Sequence, residues 1–117
     1  MAFIPTHLGQ SRPSGTTAAS ILAGAANKIE LIQQIIIANN TASAANASVY
    51  LDNDGTTYDQ TTCLLYSVSI PANSTLVMSF GSDWQSGLYL TGTGNLAVQT
   101  GTGSALTFTI NGGIYQL

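Results

Sequence analysis

Residues 28–40 read KIELIQQIIIANN, the densest apolar run in the chain. The three adjacent isoleucines at 35–37 are β-branched, and they fit a strand better than a helix. Apolar side chains fall at both odd and even positions, so a strand here would be covered on both faces, which is typical of a central strand. Asn39, Asn40 and Thr41 then end the run with turn-forming residues. The stretch predicts a buried strand at the centre of a sheet.

Short alternating segments occur along the rest of the chain, separated by turn-forming residues such as Asp54-Gly55 and by a Gly112-Gly113 pair that is expected to bend the chain near its end. The pattern amounts to about eight strands with no convincing helix, which predicts an all-β fold, a single antiparallel β-sandwich of jelly-roll type. Leu96, Val98, Leu106, Phe108 and Ile110 are expected to point inward. In another segment the alternation predicts that Leu64, Tyr66, Val68 and Ile70 point one way and that Leu65, Ser67 and Ser69 point the other.

The first 15 residues differ from the rest. Phe3, Ile4 and Leu8 are apolar, while Pro5 and Pro13 disfavour both helix and sheet. We therefore predict an extended N-terminal arm at residues 1–15 and a β-sandwich domain at residues 16–117. Because chain termini fray unless something holds them, the arm is expected to be pinned, either on a neighbouring subunit or back on its own sandwich.

The chain carries very little charge. Only 6% of its residues are charged, against roughly 25% in ordinary soluble domains. Arg12 and Lys28 are the only basic residues other than a single histidine, which is too few to follow a nucleic-acid backbone, so nucleic acid is not an expected partner. A surface of Ser, Thr, Asn, Gln and Gly suits burial between subunits, in contacts that salt barely screens. The composition favours a homo-oligomer over a polar monomer.

Nothing in the sequence indicates a membrane partner. No apolar run approaches the roughly 18 residues that a transmembrane helix needs. The N-terminus lacks the basic start and long apolar centre of a signal peptide. We expect synthesis in the cytoplasm without export by a signal peptide.

Asp52, Asp54 and Asp59 form the densest acidic segment. An EF-hand beginning at Asp52 would need an acidic ligand at its twelfth position, where Cys63 stands, and helices on either side. The segment is better explained as a hairpin turn, although a looser cation site using the three aspartates stays open. No cofactor is predicted.

Catalytic residues are not apparent. His7 is the only histidine and lies in the arm without a nucleophile motif to partner it, and Cys63 has no cation nearby in sequence to activate it. The chain is therefore not expected to be an enzyme. Trp84 could, with nearby tyrosines, form an aromatic platform for sugar stacking or a protein hot spot, or it could close one end of a sandwich.

Three segments carry a resemblance to a known group of proteins: IIIANNTASAANASVYL at 35–51, IPANSTLVMSF at 70–80 and SGLYLTGTGNLAVQTGTGSALTFTINGGIYQL at 86–117. Over roughly residues 28–113 the chain resembles small β-sandwich virion proteins of tailed bacteriophages, and most of all capsid decoration (cement) proteins. The resemblance implies a non-enzymatic protein, often a homotrimer, that sits on the capsid surface and binds the major capsid protein or another virion protein. The residues expected to bind that partner are Phe3, Ile4, Pro5, Leu8 and Trp84.

Two other functions remain open at this point. One is a tail, baseplate or head–tail joining module with the same fold. The other is a carbohydrate-binding module that uses Trp84.

Overall fold

Nine strands and the segments between them make up the described part of the chain, residues 3–81, 83 and 86–116 of a computed structural model. The strands are β1 (Phe3–Ser11), β2 (Ala19–Ala23), β3 (Lys28–Asn39), β4 (Ala45–Asp52), β5 (Cys63–Ile70), β6 (Ser74–Ser79), β7 (Leu88–Leu90), β8 (Asn95–Thr100) and β9 (Leu106–Gln116).

The strands form two antiparallel sheets. Sheet A has the order β1-β9-β3-β6, with β7 pairing with β3 beyond β6, and sheet B has the order β2-β8-β4-β5. Two four-stranded sheets connected in this way form a jelly roll, in which β7 is an additional short strand. The predicted all-β sandwich is confirmed, with nine strands rather than about eight.

β3 is the central strand that the sequence predicts. It pairs with β9 along one side and with β6 and β7 along the other. Ile32, Ile35 and Ile37 face sheet B and are fully buried, and Leu31 is fully buried on the opposite face. Full burial of each such side chain contributes about 1.5–3 kcal/mol to folding. Asn39 ends the strand and donates from its amide to the carbonyl oxygens of Ser43 and Ile70.

Residues 3–11 of the predicted arm form β1, which pairs with β9 from Phe3 opposite Tyr115 to Ser11 opposite Phe108. The arm therefore lies back on its own sandwich as the outer strand of sheet A. Leu8 packs against the core, and the Phe3 ring lies 5.3 Å from that of Tyr115. The boundary placed at residue 15 stays a prediction.

The prediction that Gly112-Gly113 bends the chain is wrong, because β9 continues through both glycines to Gln116. The two neighbours of β9 each carry an extra residue at this level: Leu8 in β1 and Gln33 in β3. These bulges bring backbone close to β9, so a Cβ at Gly112 would overlap the carbonyl oxygen of Leu31. The glycines permit close strand packing and do not interrupt the strand.

β5 also departs from the predicted alternation. Leu65 pairs with Val49 and packs against the core, and Val68 pairs with Ala47 although it stays 38% exposed, whereas Leu64 and Tyr66 are exposed on the other face. The cause is a bulge at Ser67, whose φ is +50°, which adds one residue to the strand and exchanges its two faces. The prediction that Leu64 and Tyr66 point the same way as Ile70 is therefore wrong, because Ile70 is buried in the core.

Candidate interaction surface

The residues considered for catalysis are separate from one another. His7 lies exposed on β1, opposite Asn111 of β9. Cys63 is a free thiol on β5, in sheet B, and its sulfur donates to the carbonyl oxygen of Gln60 at 3.4 Å. Within residues 3–81, 83 and 86–116, no three His, Cys, Asp or Glu side chains are grouped so that they could hold a metal ion.

The three aspartates hold their own loop together. Asp52 accepts hydrogen bonds from the backbone N–H groups of Thr57 and Asp54, at 2.8 and 3.2 Å, and these bonds keep its pKa below the ordinary value. The pKa of Asp54 is raised by a hydrogen bond with the Asp52 carboxyl group and by the negative charge of that group. Asp59 accepts from the hydroxyl and the N–H of Thr61, which lowers its pKa. The arrangement is that of a turn whose carboxylates serve as internal acceptors.

The face of sheet A that points away from sheet B, which we call the outer face of sheet A, has no formally charged strand residue. The Asp83 carboxylate lies near its edge, where burial and the charges of Tyr89 and Asp83 raise the pKa of Tyr115. The strand registers place 18 residues on the outer face: Phe3, Pro5, His7 and Gln10 of β1; Thr107, Thr109, Asn111, Gly113 and Tyr115 of β9; Ile29, Leu31, Gln34, Ile36 and Ala38 of β3; Thr75, Val77 and Ser79 of β6; and Tyr89 of β7.

None of these side chains is Asp, Glu, Lys or Arg. Arg12 borders the face at one end, where it donates to Asn40 and Thr107. Val77 and Tyr89 are apolar or aromatic side chains that remain 50% and 57% exposed. The face thus combines exposed apolar area with neutral hydrogen-bonding groups, the composition expected of a protein–protein contact.

A depression of about 460 Å³ lies on the same side, at the level of the two bulges. Pro5, His7, Gln34 and Asn111 line it, and the Asn111 amide donates to the Gln34 side chain at 3.4 Å. The lining offers neutral donors and acceptors rather than a charged or nucleophilic cluster.

Gln33, the extra residue of β3, secures the segment that follows β6. Its side-chain amide donates to the backbone carbonyl oxygen of Asp83 and, at 3.1 Å, to that of Ser86. The backbone carbonyl oxygen of Gln33 accepts from the N–H of Phe80 at 2.8 Å. This segment contains Trp84, which lies outside the described residues. The predicted roles of Trp84 stay predictions.

The other residues proposed for partner binding are distributed over several positions. Phe3 and Pro5 lie on the outer face of sheet A, whereas Ile4 lies on the other side of β1, opposite Ile114, and is 53% exposed. Leu8 is partly buried against the core of its own chain. The structure therefore places two of the four described residues on the outer face of sheet A, and only Pro5 lines the depression.

Sequence reasoning did not identify Gln33, Gln34 or Asn111 as part of a surface. The only available signal was the Gln33-Gln34 pair, which interrupts an otherwise apolar run. Two consecutive polar residues within a buried strand are consistent with a bulge, because one of them need not follow the alternation.

No protein-family model matches the chain, and a search of curated proteins finds no significant relative. Among solved structures, the chain is similar to one in the crystal structure of the T13 particle of infectious bursal disease virus (IBDV), with a TM-score of 0.54 and 12% identity, covering 97% of this chain and 29% of that one. A chain of the IBDV Gt strain has a TM-score of 0.43 at 14% identity, covering 97% of this chain and 30% of that one.

The Anabaena sensory rhodopsin transducer has a TM-score of 0.41 at 10% identity, covering 76% of this chain and 96% of that one. The chain thus spans less than a third of each of the two IBDV chains named above. At 12% identity, the likeness to the T13 particle shows the fold alone. Over the same described residues, no helix is long and apolar enough to cross a membrane.

Proposed function

We propose that the chain is a non-enzymatic virion structural protein that binds the outside of a bacteriophage capsid and stabilises the shell as a decoration protein. The observation that carries the proposal is the outer face of sheet A, which is broad, free of formal charge and partly apolar. The likeness of the jelly roll to a chain of the T13 IBDV particle supports a virion role, although a fold by itself does not determine function.

The outer face suits a permanent contact for a physical reason. Burying Lys or Glu side chains in an interface incurs a large desolvation cost, whereas Thr, Asn and Gln lose less and can re-form hydrogen bonds across the contact. Exposed Val77 adds apolar area, worth about 25 cal/mol for each Å² removed from water. Because a shell repeats the same contact many times, modest local affinities add up to strong resistance to expansion.

The partner in this proposal is the major capsid protein, and the binding form is a homotrimer. β1 forms the free edge of sheet A, so its residues would lie at the rim of the contact. A location in the tail, the baseplate or the head–tail junction is the alternative, because the same face could bind another virion protein.

Copy number in purified virus particles tests the proposal and separates the two locations. Quantitative mass spectrometry would compare this chain with the major capsid protein. We expect a ratio that corresponds to one site per capsomer or per junction between capsomers. A ratio that corresponds to a single ring per particle would place the protein in the tail or connector, and its absence from particles would contradict a virion role altogether.

The role of β1 is best tested by point substitution. Deleting residues 2–12 would remove an edge strand together with the core contact of Leu8, so lost binding could reflect unfolding. Ile4→Ser changes an exposed side chain and leaves β1 intact. If Ile4 contacts the capsid, occupancy falls while the melting temperature stays unchanged; unchanged occupancy would remove Ile4 from the interface.

A further inference from the structure

Sheet B has a depression of its own, on the face that points away from sheet A. Its volume is about 310 Å³, at the lower end of the range of small-ligand sites. Asn46 and Ser48 of β4, Tyr66 and Ser67 of β5, and Gln99 of β8 line it, and Thr16 lies at its margin. None of its lining residues is charged.

The bulge at Ser67 shapes this depression. Ser67 is the only residue within a described strand that has a positive φ, a conformation that is strained for a residue other than glycine. Its N–H donates to the hydroxyl oxygen of buried Ser48 at 2.8 Å, which holds the bulge in place. The bulge leaves Tyr66 49% exposed beside the depression, where regular alternation would have turned it toward the core.

Part of the lining is fixed by internal hydrogen bonds. Gln99 accepts from the Tyr50 hydroxyl at 2.6 Å and donates to the Thr16 carbonyl oxygen at 2.9 Å, so both ends of its amide are engaged. The Asn46 amide nitrogen donates to the Ser67 hydroxyl at 3.3 Å. The Asn46 backbone carbonyl oxygen accepts from the Gly101 N–H at 2.8 Å, whereas no described residue hydrogen-bonds to the Asn46 side-chain oxygen Oδ1 or to the Tyr66 hydroxyl, so these two groups remain available to a ligand.

The chemistry of the depression restricts what it can bind. A charged ligand would find no opposite charge in the lining, and a purely apolar ligand would leave the lining amides and hydroxyls without partners. A sugar ring has hydroxyl groups for neutral donors and acceptors, and its C–H face can lie against an exposed tyrosine ring. A peptide added as an extra strand would need a regular edge, whereas β5 is bulged at two places.

We infer that this depression is a binding site for a neutral saccharide, with the Tyr66 ring as the stacking surface and Asn46 and Ser67 as hydrogen-bonding groups. The site is separate from the outer face of sheet A and does not depend on the proposed capsid contact. It also differs from a sugar site built on Trp84.

The test uses the full chain, titrated with a panel of neutral mono- and disaccharides and, in parallel, with uronic acids, while backbone NMR shifts are recorded. We expect neutral sugars at millimolar concentration to shift the amides of Tyr66, Ser67 and Gly101, and uronic acids to bind more weakly. Tyr66→Ala is expected to raise the dissociation constant about tenfold, and Tyr66→Phe, which keeps the ring, to raise it less.

Tyr89→Ala is the matched control, because Tyr89 is about as exposed as Tyr66 but lies on sheet A. It is expected to leave sugar binding unchanged. If Tyr66→Ala does not fold, Asn46→Ala provides the same test from β4. The inference is overturned if no sugar shifts these amides, if binding survives Tyr66→Ala, if Trp84→Ala abolishes it while Tyr66→Ala does not, or if a neutral peptide competes for the same amides more strongly than any sugar.

Discussion

Glu30 lies on β3, faces the interior and has no exposed surface. The Lys28 ammonium group is 3.2 Å from its Oε1 atom but outside hydrogen-bonding angles, and no other donor among the described residues reaches either carboxylate oxygen. Lys28 itself is about one-third exposed. A buried carboxylate with a single cationic neighbour depends strongly on that neighbour, because removing it leaves an uncompensated charge.

At the residue scale we predict that Lys28→Met destabilises the fold by about 1–3 kcal/mol. This is less than the loss expected when a fully buried ion pair is broken, because Lys28 is partly in contact with water. The double variant Lys28→Met/Glu30→Met is expected to recover most of this loss, since it removes the unpaired charge. Urea denaturation of Lys28→Met, Glu30→Met and the double variant measures the coupling free energy between the two side chains. A Lys28→Met variant as stable as the wild type would contradict this account.

Whether a side chain faces the core could be predicted where the strand is regular. Leu106, Phe108 and Ile110 alternate without interruption in the sequence, and all three are fully buried. The uninterrupted alternation predicted from Leu64 to Ile70 is wrong because the bulge depends on Ser67 adopting a positive φ, which serine rarely does. Position 67 is neither glycine nor asparagine, the residues that adopt a positive φ most readily, so its residue type did not indicate the bulge.

At the scale of elements, the two bulges beside β9 explain its glycines. Gly112 lies where the backbone of β3 approaches most closely, and Gly113 lies against the Phe3 ring of β1. Both contacts join residues far apart in sequence, so local pattern gave no indication of them. β1 was missed for a related reason: Pro5 disfavours a strand in general but is tolerated at a sheet edge.

We therefore predict that Gly112→Ala destabilises the protein by about 3 kcal/mol, because the new methyl group overlaps the Leu31 carbonyl oxygen. Gly15→Ala is the control, since a Cβ there meets nothing within 4 Å. Thermal unfolding should show a large decrease in melting temperature for the first variant only. Equal melting temperatures for both variants would mean that β3 does not approach β9 as described.

The loop between β4 and β5 predicts a dependence on pH. The pKa of Asp54 is higher in the folded protein than in the unfolded chain, so its ionised form lowers stability above that pKa, and the penalty disappears as the pH falls through it. Asp54→Asn is expected to raise the melting temperature at pH 7 and to have little effect at a pH where Asp54 is protonated. If Asp54→Asn stabilised the protein more at acidic pH than at pH 7, repulsion between the Asp54 and Asp52 carboxyl groups would not be the cause.

At the scale of the whole molecule, the sandwich could be predicted because strand alternation and turn residues are local signals. The pairing of β1 with β9 and the surfaces on the two sheets could not, because they depend on which strands become neighbours. Two similar Gly-rich segments illustrate this. TGTGNLAVQ, at residues 91–99, leads into β8 of sheet B, whereas TGTGSALTF, at residues 100–108, leads into β9 of sheet A. Similar sequences thus occupy different layers.

The near absence of charge leads to a prediction about how copies of the chain would associate with one another. With a formal net charge of −3 and an uncharged outer face on sheet A, association should not depend on ion pairs. Light scattering of the purified protein is expected to give a trimer whose mass is the same at low and high salt. A monodisperse monomer would remove the argument from the uncharged surface, and a trimer that dissociates in high salt would assign the contact to charges instead.

The most direct measurement is co-sedimentation with virus particles that lack this protein, comparing the wild type with Val77→Glu and Leu64→Glu. Both substitutions place a charge at an exposed apolar position, on sheet A and sheet B respectively, and both variants are checked for an unchanged melting temperature. We predict that Val77→Glu weakens binding at least about tenfold, because a carboxylate would be buried in the contact, while Leu64→Glu binds like the wild type. Equal binding by all three proteins, or loss in Leu64→Glu alone, would contradict the assignment of the outer face of sheet A as the capsid-binding surface.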